Sequence, residues 1–323
     1  MSLTVAIITS RFEPRFDWMF DSLAKQTGAK YISQLIVVDY FAEPNLPKST
    51  VDFQTRRDQV TLAARHAGLE HVLQWVVPKP NVWGGRYMVT QTPHWAAAVS
   101  RNTAFALCKN QYIAMLDDRC VIMPGWITAI RKAASEKYAV CGAYQKRVGM
   151  RVDHGVIVHG GIVTGEDGRE QHCQKNNLPN PFKCGGEWMY GCNFSLPIEW
   201  TLTVNGQDEL SCGIGMDDVF FGLHLGNNGF DIRFDKTMKI IEDRSADASA
   251  PVMRRDNKTK NANKLDDKDH QLLARMKPLK RANSGMDLRK IRADVLAGKP
   301  FPIPSVNPPP VDWYDGTKLS DFK

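Results

Sequence analysis

The 323-residue chain is 43% hydrophobic and 24% charged, a balance that fits a globular protein with a sizeable buried core. No apolar run reaches the roughly 20 residues of a membrane helix, and the opening MSLTVAIITSRFEPRF has neither a basic lead nor a small-residue cleavage site, so it reads as a buried strand in a cytoplasmic protein with no membrane partner. The net charge of +7 belongs to residues 251–323, which hold 16 Lys/Arg against 9 Asp/Glu, whereas residues 1–250 carry 26 of each sign.

Three continuous apolar runs, TVAIIT (4–9), QLIVVDY (34–40) and YIAMLDD (112–118), have the character of strands buried on both faces of a parallel sheet. Between them, apolar residues at spacing three to four predict helices over Phe16–Gln26, which stops before Gly28, over Thr55–Ala67, and over Thr92–Cys108 with Pro93 near its start. This alternation predicts an α/β fold, a right-handed, mostly parallel sheet flanked by helices. Ligands of such sheets sit beyond the carboxyl ends of the strands, where Asp39 and the Asp117-Asp118 pair lie.

From about Val140 to Glu187 the pattern changes to alternating residues with Gly-rich turns, which predicts hairpins and loops. A strand over EWMYGCNFSLP, a helix over PIEWTLTVNG, the loop SCGIG, a helix over DDVFFGLHLGNNG and a strand pair, FDIRFD and KIIED, are expected next. After Ala250 the chain turns basic and polar, then Pro-rich (KPFPIPSVNPPPVDW), with HQLLARM and MDLRKIRADVLAG as short helices in an otherwise extended tail. The seven cysteines are irregularly spaced without a CxxC, so they read as reduced, mostly buried thiols. A zinc set of His172, Cys173, Cys184 and Cys192 lacks the close ligand pairs such sites use.

Residues 100–126, SRNTAFALCKNQYIAMLDDRCVIMPGW, combine Arg101-Asn102 in a helix, a strand ending in Asp117-Asp118-Arg119, and the turn Pro124-Gly125-Trp126. With the VNGQDE and GIGMDDVFFGLHL stretches downstream, and the strand–helix–strand start, the order resembles family 2-like glycosyltransferases with the GT-A (Rossmann-like) fold over roughly residues 3–245. The resemblance implies a GT-A domain over 1–250, with a nucleotide-binding half (1–126) and an acceptor half (127–250), followed by a basic, Pro-rich extension (251–323).

The resemblance further implies transfer of a hexosyl or pentosyl group from a nucleotide-sugar, UDP-sugar foremost, to a hydroxyl with inversion. Asp39, Arg101, Asn102, Asp117 and Arg119 would contact the donor, Arg by its fixed charge on phosphate. Asp118, Asp117 and Glu242 would hold Mn2+ or Mg2+, hard cations suited to carboxylate oxygens, although Arg119 stands where the family has a second acid. A carboxylate base at the head of a helix is favoured in its anionic form, and either Asp217 or Asp218 fills that place, with Asp217 preferred. Trp188 and Tyr190 would line the acceptor side.

The basic run of Arg254, Arg255, Lys258, Lys260, Lys264, Lys268, Lys277, Lys280 and Arg281 reads as a solvated surface or as a track for a phosphate backbone. The second reading makes a nucleic acid, such as a hydroxymethylated base in DNA, the acceptor. Arg119 and Met216 leave open a catalytically silent sugar- or nucleic-acid-binding module on the same fold. A nucleotidyltransferase is disfavoured because TSRFEPRF carries no phosphate-binding glycine.

Overall fold

Strict alternation along the first strands divides the protein into two cores. In the computed structural model, which describes residues 1–42, 51–81, 96–209, 217–245 and 286–303, β1 (Leu3–Thr9) pairs in parallel with β2 (Ile32–Asp39). Leu3, Val5 and Ile7 enter one core with α1 (Phe16–Ala24) and α2 (Phe53–His66), whereas Ala6 and Ile8 enter another. Both sets are fully or almost fully buried, as the period of two demands of a strand covered on both faces. The Asp52 side chain caps α2 by accepting from the Thr55 amide, and β3 (Leu73–Val76) follows as the edge strand, parallel to β2.

Helix α3 (Ala97–Leu107) leads into β4 (Tyr112–Asp117), parallel to β1, and the short β5 (Cys120–Ile122) pairs with a late strand. Residues 92–95 of the expected third helix lie outside the described residues. The Pro-Gly-aromatic turn has a physical reason. Gly125 adopts φ 95° at the start of α4 (Trp126–Glu136), and a Cβ there would lie 2.8 Å from Thr237 Cγ2. Trp126 is fully buried and donates its indole N–H to Asn193 at 2.9 Å.

After α4 come β6 (Ala139–Val148), the ribbon of β7 (Arg151–Asp153) and β8 (Val156–His159), β9 (Ile162–Glu166), α5 (Gly168–Lys175) and β10 (Phe182–Lys183). β11 (Asn193–Pro197) is shorter than expected, because Gly186–Trp188 form a 3-10 turn rather than strand. β11 runs antiparallel to both β4 and β6, so its amino end at Asn193 sits opposite Leu116. After α6 (Ile198–Thr203) and α7 (Asp217–Asn227), the expected strand pair is one continuous strand, β12 (Ile232–Asp243), parallel to β6 with a shift of register between Asp235 and Lys239. The path through the main sheet is β10-β12-β6-β11-β4-β1-β2-β3. It is an α/β sheet, largely parallel, with helices on both faces.

Helix α8 (Leu288–Leu296) matches the helix expected near the carboxyl end, and it is integral rather than peripheral. Leu288 and Ile291 are buried in the second core, and Arg292 donates to the Cys108 carbonyl at the end of α3. The SCGIG loop and the HQLLARM helix fall outside the described residues. No helix among the described residues is long and apolar enough to cross a membrane.

Asp39 and Arg56 form an ion pair at 2.7 Å in which both side chains are completely buried. The same guanidinium donates to the carbonyls of Arg11 and Phe12, tying the segment after β1 to α2. Arg56→Met strands the Asp39 charge without a cation, and we expect a loss of about 3–5 kcal/mol, read as a lowered denaturant midpoint with unchanged slope.

Candidate active site

The carboxyl ends of β1, β4 and β12 and the amino end of β11 meet at one crevice. Its centre is Arg101, projecting from α3 with a side chain only 6% exposed. Arg101 Nη2 lies 3.3 Å from Asp117 Oδ1, and its Nη1 lies 3.0 Å from Asp217 Oδ2. One guanidinium therefore joins the strand-end acid to the helix-heading acid, 100 residues apart in sequence. Gly191 makes room for it, since a Cβ at that position would lie 2.1 Å from Arg101 Nη2.

Asp217 and Asp218 head α7, but they are engaged differently. Burial pushes the Asp217 carboxyl up to about 6, against the opposing pull of Arg101. Asp218 accepts from the Gly191 amide at 2.6 Å and from the Val219 amide at 2.9 Å, so it anchors the chain that leads into β11. Helix α7 is brought this close by two glycines: a Cβ on Gly186 would lie 2.0 Å from the Gly222 carbonyl oxygen, and one on Gly222 would lie 2.0 Å from the Gly186 oxygen.

On the other side of Asp117, a second group of acids surrounds Arg11, a residue that the sequence pattern does not single out. Asp118 accepts from Thr9 Oγ1 at 2.5 Å and from Arg11 Nε at 2.9 Å. Glu242 lies 3.9 Å from Arg11 Nη2 and 3.0 Å from Arg244 Nε. Burial pushes Asp118 up to about 6, opposed by Arg11 and Thr9, and pushes Glu242 up to about 7, opposed by Arg244. Both shifts come first from burial, which the nearby cations only partly offset. Asp117, with a side chain 35% exposed, is the member most open to the crevice.

Whether this donor set fits a divalent metal follows from its chemistry. All three candidates offer hard carboxylate oxygens, which suit Mn2+ or Mg2+. Among the described residues, however, no three His, Cys, Asp or Glu gather as a self-sufficient metal cluster, which also leaves the His172–Cys173–Cys184–Cys192 zinc set unsupported. The fit is that of a shared site, in which protein supplies one or two ligands and phosphate oxygens complete the shell.

Five other expected residues are held by protein partners. Asp39 is fully buried, and its two oxygens accept from Arg56, Trp75 and the Phe41 amide, which leaves no edge for a nucleobase. Asn102 clamps the VNGQDE loop, donating to the Gln207 carbonyl and to Glu209 and accepting from the Gln207 amide. Glu209 is itself held 2.8 Å from Lys79 Nζ in a pair that is almost wholly buried. Arg119 takes a left-handed conformation (φ 57°) and directs its guanidinium to Asp243 and to the carbonyls of Glu13 and Ser245 rather than into the crevice. Trp188 packs against Phe182 and Phe234, whereas Tyr190 lies under Arg169, 4.0 Å from ring centroid to guanidinium, with Tyr144 6.1 Å away. The partners of Asp39 and Arg119 are distant in sequence, so strand-end position alone does not report them.

A family model described as glycosyl transferase family 2 matches residues 79–192, which include Arg101, Asp117 and Gly191. No curated protein matches the chain. Among solved structures, GalNAc-T7 with UDP, GalNAc and Mn2+ superposes with a TM-score of 0.54 at 11% identity, covering 93% of this chain and 59% of that one. S. aureus TarS 1-349 in complex with UDP gives 0.51 at 14% identity, with coverages of 75% and 60%. A further S. aureus TarS structure gives 0.50 over 75% of this chain and 37% of that one. The chain thus spans less than two thirds of the length of each, and the likeness is one of fold. Over residues 79–192 the chain is similar to family 2 glycosyltransferases, and its fold is of the GT-A type.

Proposed function

We propose that the protein transfers a glycosyl group from a UDP-sugar to an acceptor hydroxyl, with inversion and with a divalent cation at the diphosphate. The observation that carries this reading is the Arg101 bridge, which places Asp117 and Asp217 on opposite sides of one guanidinium. UDP stands in both neighbouring complexes, and Mn2+ in one of them. Asp117, with Asp118 and Glu242 behind it, would hold the cation, which when bound supplies Lewis-acid charge to the leaving diphosphate. Arg101 and Arg11 add fixed positive charge beside it. The six described cysteines are free thiols, which supports a cytoplasmic site of action.

Asp217 is the base we assign. An acceptor hydroxyl must lose its proton as the new bond to the anomeric carbon forms, and a base works best with a pKa near the working pH. Its value of about 6 meets that need, whereas Asp218 is occupied with the Gly191 amide. The sign of the pH dependence follows. As pH falls through about 6, Asp217 takes up a proton and ceases to accept another, so turnover falls on the acid side.

Release of UDP from UDP-sugars with an acceptor panel, in Mn2+ and after chelation, tests the function. UDP-sugar binding without UDP release would assign a silent binding module instead. A hydroxymethylated DNA base as acceptor rests on the basic run from Arg254 to Arg281, which lies outside the described residues. Asp217→Asn is expected to lower turnover by about 10²–10⁴-fold and to abolish the acid limb near pH 6, with UDP affinity retained by calorimetry. Gly191→Ala should displace the Arg101 guanidinium and cost on the order of 10²-fold in turnover, with a lowered unfolding midpoint because a nearly buried ion pair is disturbed.

A further inference from the structure

Next to the crevice, between β6, β9, β12 and α5, lies a concavity of about 110 Å³ whose lining includes Gln145, Glu166, Glu170, Gln171, Gln174, Lys239 and, on one wall, Tyr144. That is the space of about four waters, enough for the hydroxyl edge of a small ring. Two routes connect it to the acids. Asp218 holds the amide of Gly191, and the ring of the preceding residue, Tyr190, lies 6.1 Å from that of Tyr144. On the other route, Lys146 acts electrostatically on Glu242, and its Nζ lies 5.1 Å from the Tyr144 ring centroid. Tyr144 thus links the concavity to the crevice acids through Tyr190 and Lys146.

The charges in this concavity are compensated in place. Lys239 Nζ meets Glu170 at 2.8 Å, the Gln171 amide donates to Glu166 at 2.7 Å, and Arg169 holds Asp167 at 2.7 Å. The lining therefore presents amides, which both donate and accept, and carboxylate oxygens, which only accept. With Glu166, Asp167 and Glu170 set against Lys239 and the flanking Arg169, the residual charge is negative and disfavours a phosphate backbone, and the lining has too little apolar surface for a lipid chain. Neutral hydroxyls, each a donor and an acceptor, match it.

We propose that this concavity is a subsite for a neutral saccharide, which holds sugar units of the acceptor next to the one that receives the transferred group. The proposal depends on the glycosyl-transfer reading above and makes the acceptor a carbohydrate.

The full chain is tested by calorimetry against neutral tetrasaccharides of glucose, galactose and N-acetylglucosamine, a sulfated tetrasaccharide and a DNA hairpin. At least one neutral tetrasaccharide should bind, and Gln171→Ala/Gln174→Ala should weaken it by about tenfold, as expected for two lost hydrogen bonds. UDP release in water without acceptor should stay unchanged in that variant, because neither glutamine touches the crevice acids. Failure of all three neutral tetrasaccharides to bind, equal binding by the variant, or preference for the sulfated sugar or DNA overturns the subsite. Absence of UDP release from every UDP-sugar would overturn the functional reading itself, and the two failures are therefore distinct.

Discussion

The guanidinium of Arg101 is the constraint on which the site depends. It lies on a helix in the first third of the chain, yet it holds an acid from β4 and an acid from α7 at 3.3 and 3.0 Å. Without it, two carboxylates would face each other in a poorly hydrated crevice, where like charges repel strongly. Because the bridge is almost buried, its geometry is set by packing rather than by solvent. Gly191 leaves the space, and Gln207 receives part of the same guanidinium at 3.4 Å. The VNGQDE loop is thereby coupled to the crevice, and Asn205 couples that loop in turn to α8 by accepting from the Leu288 amide and donating to the Met286 carbonyl.

Much of this arrangement was legible in the sequence. Unbroken apolar runs announce strands buried on both faces, and acids at their ends announce a crevice, since only there does a buried strand reach solvent. Asp117 and Asp118 stand out this way, whereas Asp217 and Glu242 enter through the family resemblance, and the structure brings all four into one electrostatic neighbourhood. The tight turn at Gly125 is readable because only glycine accepts its conformation cheaply next to Thr237.

What was not legible is which charges neutralise one another across the fold. Asp39 has the same strand-end position as Asp117, but Arg56, 17 residues on, returns to bury it. Arg119 stands beside the acids in sequence but is drawn to Asp243, 124 residues away. Arg11 carries no motif and yet lies between Asp118 and Glu242. Trp188 seemed to continue a strand, but the backbone turns at Gly186 and hands it to the core. β12 was read as two strands because its register shift between Asp235 and Lys239 interrupts the apolar period. Local pattern reports which residues prefer burial; ion pairing depends on topology that no short window contains.

The contact between Gly186 and Gly222 has one more consequence. At that one point main-chain atoms set how near α7 can lie, whereas Phe221 against Phe105 and Phe194, and Arg101 on Asp217, fix the helix elsewhere. Any side chain at either glycine would therefore push α7, and Asp217 at its head, away from Arg101.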